Sequence, residues 1–185
     1  MPIAAFTKGN PEHPLLVCVP GMMGVPENFV AMSGPWSDRF CSVFLDLHPQ
    51  NRESGLGDSD RSLSTINYDD TSKEIYDYLV EHFPGRQYHF LGISLGGKII
   101  FDFASRFPEL YAGGVVTDVG PGPFNESELY QFSWNIIPTI NLNQPWSGIK
   151  RELREKVSVN TIRVFIQTQV DYSPEQQKGE WKGAI

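Results

Sequence analysis

The feature that most constrains this chain is an alternation of two hydrophobic periods between residues 15 and 119. Leu15–Val19 is a continuous apolar run, the pattern of a strand buried on both faces, and Pro20-Gly21 ends it. Residues 28–40 hold a helical stretch with Phe29, Val30, Met32 and Trp36, broken at Gly34-Pro35. Residues 42–47 are again strand-like, and a polar loop rich in Gly, Asp and Ser runs from His48 to Asp70. The clearest helix covers 71–83, where Asp70, Thr71 and Ser72 offer caps, Ile75, Tyr78, Leu79 and Phe83 form one stripe, and Pro84-Gly85 is the stop. Tyr88–Ile93 is a third strand. Residues 95–107 form a helix with Ile99, Ile100, Phe103, Ala104 and Phe107 on its buried side, and Pro108 ends it. Val115–Val119 is a fourth strand, closed by Gly120-Pro121-Gly122-Pro123. Strand and helix alternating at this spacing predict an α/β fold, a mostly parallel sheet with helices on both faces. In such sheets ligands bind beyond the carboxyl ends of the strands.

After Pro123 the texture changes. Phe124, Leu129, Tyr130, Phe132, Trp134, Ile136, Ile137 and Trp146 crowd into a short, mostly helical-looking stretch. Residues 149–159 read as helix; 161–170 would serve as helix or strand, with helix preferred. The chain therefore divides into a core, residues 1–119, and a smaller helical segment, residues 120–185.

Charge narrows the partners. The 185 residues carry 22 acidic and 15 basic side chains, a net charge of −7. Nucleic-acid binding needs a dense cationic patch. The clearest basic cluster, Lys150, Arg151, Arg154 and Lys156, is interrupted by Glu152 and Glu155 and reads as a solvated helix face. No run approaches the ~20 apolar residues of a membrane span. The first ten residues lack both the basic region and the apolar stretch of a signal peptide. Cys18 and Cys41 lie in apolar strand-like runs and read as buried free thiols, which suits a reducing, cytoplasmic setting.

The chemistry-bearing motif is Gly92-Ile93-Ser94-Leu95-Gly96, a G-x-S-x-G pattern. Five residues alone are weak grounds, but here a strand ends at Ile93 and a helix opens at Leu95, the context the pattern requires. Gly92, Gly96 and Gly97 permit a sharp turn that lifts Ser94 out of the sheet as a nucleophile. The Leu95 N–H, in the first helical turn, would then face a developing oxyanion with the helix dipole behind it. A second donor is expected from Pro20-Gly21-Met22-Met23-Gly24, at the carboxyl end of the first strand; the Met22 N–H is the choice. A structural serine in a tight turn and an ordinary Gly-Pro loop are the plainer alternatives.

These segments, Leu-Val-Cys-Val-Pro-Gly-Met-Met-Gly (16–24), Phe-Leu-Asp-Leu (44–47), Gly-Ile-Ser-Leu-Gly-Gly (92–97) and Val-Val-Thr-Asp-Val-Gly-Pro (115–121), resemble the core of the α/β-hydrolase fold superfamily. Residues 120–185 resemble the helical cap inserted in many members. The resemblance implies a serine hydrolase, acyl transfer to water, most often an esterase on a small apolar acyl substrate, with no metal or organic cofactor. It implies a triad in the chain order Ser, acid, His. Two positions depart from the common pattern: Pro20-Gly21 stands where His-Gly is frequent, and Ile93 where a histidine often precedes the nucleophile. Met23, Ile93, Phe124 and Trp134 are the expected substrate contacts.

Asp118, ending the strand beside that of Ser94, is the provisional acid, with a role in bonding loop amides as the alternative. Asp46 also ends a strand, and the structural reading is preferred for it. The base is harder to place. His13 and His82 fall at the wrong end of the sheet, and His89 is five residues before Ser94 on one strand, roughly 16 Å away. By the strand order that the resemblance implies, His48 lies two strands off, about 10 Å. The expectation is therefore that these residues are an amino-terminal part of a longer enzyme whose histidine lies beyond them. The rival reading is a non-catalytic relative that binds a small apolar ligand or a partner protein through the same pocket.

Overall fold

The computed structural model describes residues 3–22, 24–47, 68–122 and 136–181. These form two compact units, one ending at Gly122 and the other made of residues 136–181.

The first unit is a five-stranded sheet flanked by helices. In chain order it contains β1 (Ala4–Lys8), β2 (Leu15–Val19), α1 (Pro26–Met32), β3 (Cys41–Asp46), α2 (Tyr68–His82), β4 (Tyr88–Ile93), α3 (Leu95–Arg106) and β5 (Tyr111–Thr117). The strand order is β1-β3-β2-β4-β5. β2, β3, β4 and β5 are mutually parallel, and β1 pairs antiparallel to β3. The α/β class expected from the sequence is the one observed.

Alternation along the central strands assigns the two faces. Leu15, Val17, Val19, Val43, Leu45 and Phe90 point to one side, where Ile75 and Leu79 of α2 and Ile99, Ile100 and Phe103 of α3 complete a fully buried cluster. Cys18 and Phe44 point to the other side and meet Phe29 of α1. Tyr88 is wholly buried at the start of β4, its hydroxyl 3.0 and 2.9 Å from the carbonyls of Leu79 and Phe83 at the end of α2. That contact satisfies helix-end carbonyls that would otherwise lack a partner.

Four local expectations change. β1 was invisible to pattern: Ala-Ala-Phe-Thr-Lys is short and only half-buried, and it forms through register with β3 from Ala4↔Asp46 to Lys8↔Ser42. β5 starts at Tyr111 rather than Val115, because Gly113 and Gly114 dilute its apolar signal, and it stops at Thr117, where Asp118 turns to φ +63°. Ser72, expected as a cap, sits inside α2, where its hydroxyl bonds Asp102 of α3 and Arg106 donates to it at 3.0 Å. α1 begins at Pro26, and the Val25 N–H donates to the Asn28 side chain at 2.9 Å.

The second unit contains α4 (Trp146–Lys156), α5 (Asn160–Thr168), β6 (Val170–Ser173) and β7 (Lys178–Trp181). In the ambiguous stretch at 161–170, residues 161–168 are helix, as preferred, and Val170 already begins β6. The β6–β7 hairpin was not expected; its strands are only four residues each, and Gly179 within β7 donates its N–H to Leu142 at 2.8 Å. Trp146 opens α4 against Tyr172 of β6, whose hydroxyl accepts the Trp146 N–H at 3.0 Å. Among the described residues no helix is long and apolar enough to cross a membrane.

Cys18 and Cys41 are free and buried. Burial pushes the Cys18 thiol up to about 12, against about 8.5 in an unfolded chain. The folded state thus favours the neutral thiol. Its contribution to stability is complete below the unfolded value and is lost as pH rises through the folded one. Burial raises Tyr78 and Tyr88 as well, which adds in the same sense. The folded protein should therefore leave both thiols unmodified by iodoacetamide near pH 8, with both reacting in urea. The urea unfolding midpoint should fall steadily above about pH 8.5.

Candidate active site

Ser94 occupies the single residue between β4 and α3, at φ +51° and ψ −115°. A side chain is disfavoured there, by roughly 1–3 kcal/mol, so the surroundings must hold it. They do so from three directions. The Ser94 N–H donates to the Thr117 carbonyl of β5 at 2.9 Å. The Ser94 carbonyl accepts the N–H groups of Gly97 and Lys98 at 2.9 and 3.2 Å, anchoring the first turn of α3. Glycines let the backbones meet. A Cβ on Gly96 would collide with the Val19 carbonyl and lie 2.6 Å from that of Pro20. A Cβ on Gly97 would strike Val116 and lie 2.6 Å from a Val119 methyl. One on Gly92 would strike the end of Ile100 and lie 3.0 Å from the Gly96 backbone.

The turn after β2 closes against the same point. A Cβ on Gly21 would be 3.0 Å from the Ile93 carbonyl and 3.5 Å from the Ser94 Cβ, and Gly24 donates back to the Gly21 carbonyl at 2.9 Å. Met22 follows at this turn, half-buried. Leu95 is the first residue of α3, so its N–H has no intrahelical acceptor. Among the described residues neither the Met22 nor the Leu95 N–H donates to another backbone group.

Asp118 is the next residue after Thr117, which pairs with Ile93 across β4 and β5. It is exposed and left-handed at φ +63°, a conformation aspartate tolerates better than most side chains. Ser94, Leu95, Met22 and Asp118 thus gather at the carboxyl end of β2, β4 and β5. Ile93 is half-buried, with its side chain packed against the Cys18, Phe29 and Phe44 cluster. Met23, Phe124 and Trp134 lie outside the described residues, as does His48. Asp46 is buried at the end of β3, with β2 between it and β4.

The remaining histidines stand away from Ser94. His89 is on β4, ring-to-edge with Phe40 at 5.6 Å. His82 ends α2, its Nδ1 2.9 Å from the Tyr78 carbonyl. His13 precedes β2 at the amino end of the parallel strands.

One residue here was not singled out from the sequence. Lys98 is a buried lysine on α3, and its ammonium donates to the carbonyls of Gly120, at 2.7 Å, and Gly122. The available signal was a cation placed directly before the apolar residues Ile99, Ile100 and Phe103, together with a downstream Gly-Pro-Gly-Pro run poor in N–H donors.

Residues 14–139 match the family described as the alpha/beta hydrolase fold, and the chain belongs to that family. Solved structures share the architecture. A marine microorganism esterase superposes with a TM-score of 0.78 at 17% identity, covering 99% of this chain and 69% of its own. E-2-(acetamidomethylene)succinate hydrolase gives 0.70 at 18% identity, covering 98% and 65%. Naproxen esterase (carboxylesterase NP) from Bacillus subtilis gives 0.58 at 17% identity, covering 86% and 53%. At these identities the likeness is one of fold. The chain spans roughly half to two thirds of the length of these three proteins. No protein of curated function matches it in sequence.

The close approaches give a direct test. Gly96→Ala places a methyl group against main-chain carbonyls that cannot rotate aside, and overpacking of this kind costs on the order of 3 kcal/mol. Gly34→Ala, with open space around the added carbon, should change stability by no more than a few tenths of a kcal/mol. Urea unfolding of the two variants should show this contrast.

Proposed function

We propose that this protein is a serine hydrolase that transfers an acyl group from an ester to water, with carboxylesterase the best-supported class. The observation that carries the reading is the backbone of Ser94: a serine held at positive φ, between a parallel strand and a helix, followed by an N–H that donates to no backbone group among the described residues. A structural serine in a βα turn has no need of that strain.

In this reading the Ser94 hydroxyl attacks the ester carbonyl, forming the new C–O bond as the carbonyl π pair moves onto oxygen. The N–H groups of Leu95 and Met22 stabilise that oxyanion, the first assisted by the α3 dipole. Collapse expels the alcohol, and water then releases the acyl group from Ser94. Asp118 is the proposed acid, holding a histidine in the tautomer that accepts the serine proton. The amino-end positions of His13, His82 and His89 assign that base role to none of them. A small apolar acyl ester is the proposed substrate, and a cytoplasmic setting the proposed location.

A fluorophosphonate probe applied to the full-length protein should modify one residue, Ser94, identified by peptide mass, and Ser94→Ala should take none. Asp118→Asn should slow ester hydrolysis by up to ~10⁴-fold. His48→Ala tests His48 as the base: a loss of ester hydrolysis on the order of that of Ser94→Ala would give it the role, and unchanged hydrolysis would remove it. A folded wild type that takes no probe would remove the enzymatic reading. It would leave a ligand-binding relative, recognisable by a ligand that raises Tm equally in wild type and Ser94→Ala.

A further inference from the structure

Lys98 is a charged side chain in a place where charge is costly. It is only 9% exposed, and its partners are two backbone carbonyls rather than a carboxylate. Transfer of an ammonium out of water demands compensation. That compensation fixes a particular piece of chain, the segment directly after Asp118.

The segment is Gly120-Pro121-Gly122. Proline has no N–H, and among the described residues a Cβ on Gly120 or Gly122 would meet nothing within 4 Å, so the segment is not wedged at either glycine. The Lys98 ammonium bonds the carbonyls on both sides of Pro121, one 2.7 Å away at Gly120. Two further links tie the same region to the start of α3: the Ser94 N–H donates to Thr117, and the open face of Gly97 receives Val116 and Val119. Asp118 sits between these attachments, at φ +63°. Residues 94, 97 and 98 of the nucleophile's helix thus hold 117, 116 with 119, and 120 with 122.

From this we infer that Lys98 is a positioning residue: it clamps the loop carrying Asp118 to the helix that begins at Ser94, and so sets the distance between nucleophile and acid. The inference rests on the hydrolase reading above and adds a residue to it. Lys98 touches no reacting atom. It acts only through Asp118.

The test uses the full-length protein with Lys98→Met, which keeps the length and removes the donor, and Lys98→Gln, which keeps a donor. In Lys98→Met the ¹⁵N order parameters of Gly120 and Gly122 should drop from near ~0.85 to below ~0.6. A loosened acid should lower kcat on the order of 100-fold, with KM little changed because no substrate contact is lost. Lys98→Gln should recover part of that loss. In the Asp118→Asn background Lys98→Met should cost almost nothing more, because the residue it positions is already disabled.

Lys98→Met that folds, by its melting curve, and retains kcat overturns the proposal. So do losses at 98 and 118 that simply multiply. If Lys98→Met does not fold, Lys98→Gln decides in its place: a partial kcat loss that vanishes in the Asp118→Asn background supports the proposal, while a loss that multiplies with that of Asp118→Asn, or full kcat with loosened Gly120 and Gly122, overturns it. A wild type that neither hydrolyses esters nor takes the fluorophosphonate refutes the hydrolase reading and this role with it. An active wild type with an indifferent Lys98 refutes this role alone.

Discussion

Everything at the carboxyl end of this sheet depends on how closely main chains are allowed to approach one another. The Gly96 Cα stands where any side-chain carbon would overlap the Val19 carbonyl. α3 can therefore start directly above β2 and β4 instead of a few ångströms further out. That closeness bends the chain sharply at Ser94 and keeps the strained residue in place. A packed interior resists small displacements, so the strain has nowhere to relax. The hydrophobic cluster beneath, from Val17 and Phe90 to Ile100 and Phe103, supplies the rigidity against which the turn is held.

Much of this was legible in the sequence, and for identifiable reasons. β2 and β3 are buried on nearly all positions of both faces, and β4 on one face with the other half-buried, so all three read as near-continuous apolar runs. α2 and α3 present one stripe each. Their Gly and Pro boundaries fall within a few residues of the observed ends. What escaped has a common cause. β1, the first half of β5 and the β6–β7 hairpin are short, partly exposed or glycine-containing, and each takes its conformation from a partner strand and not from its own pattern. Pairing register is a non-local property that periodicity does not encode.

The site divides along the same line. Ser94, Leu95 and the glycines around them are contiguous, so five or six letters described them. Asp118 could be placed because the strands read as parallel and the family resemblance supplied their order. Lys98 was not, because its meaning lies in a segment twenty-two positions later. A lysine embedded among Gly97, Ile99 and Ile100 reads as an exposed interruption of a helix face until Gly120 and Gly122 are seen to surround its ammonium.

The positive φ at residue 94 sets robustness and chemistry in opposition. Glycine would occupy that corner without penalty, relieving the turn and gaining thermal endurance, while the hydroxyl would vanish. A laboratory population filtered only for resistance to heat should drift toward glycine at this codon, and under the role proposed for Ser94 it would end as a sturdier, inert molecule.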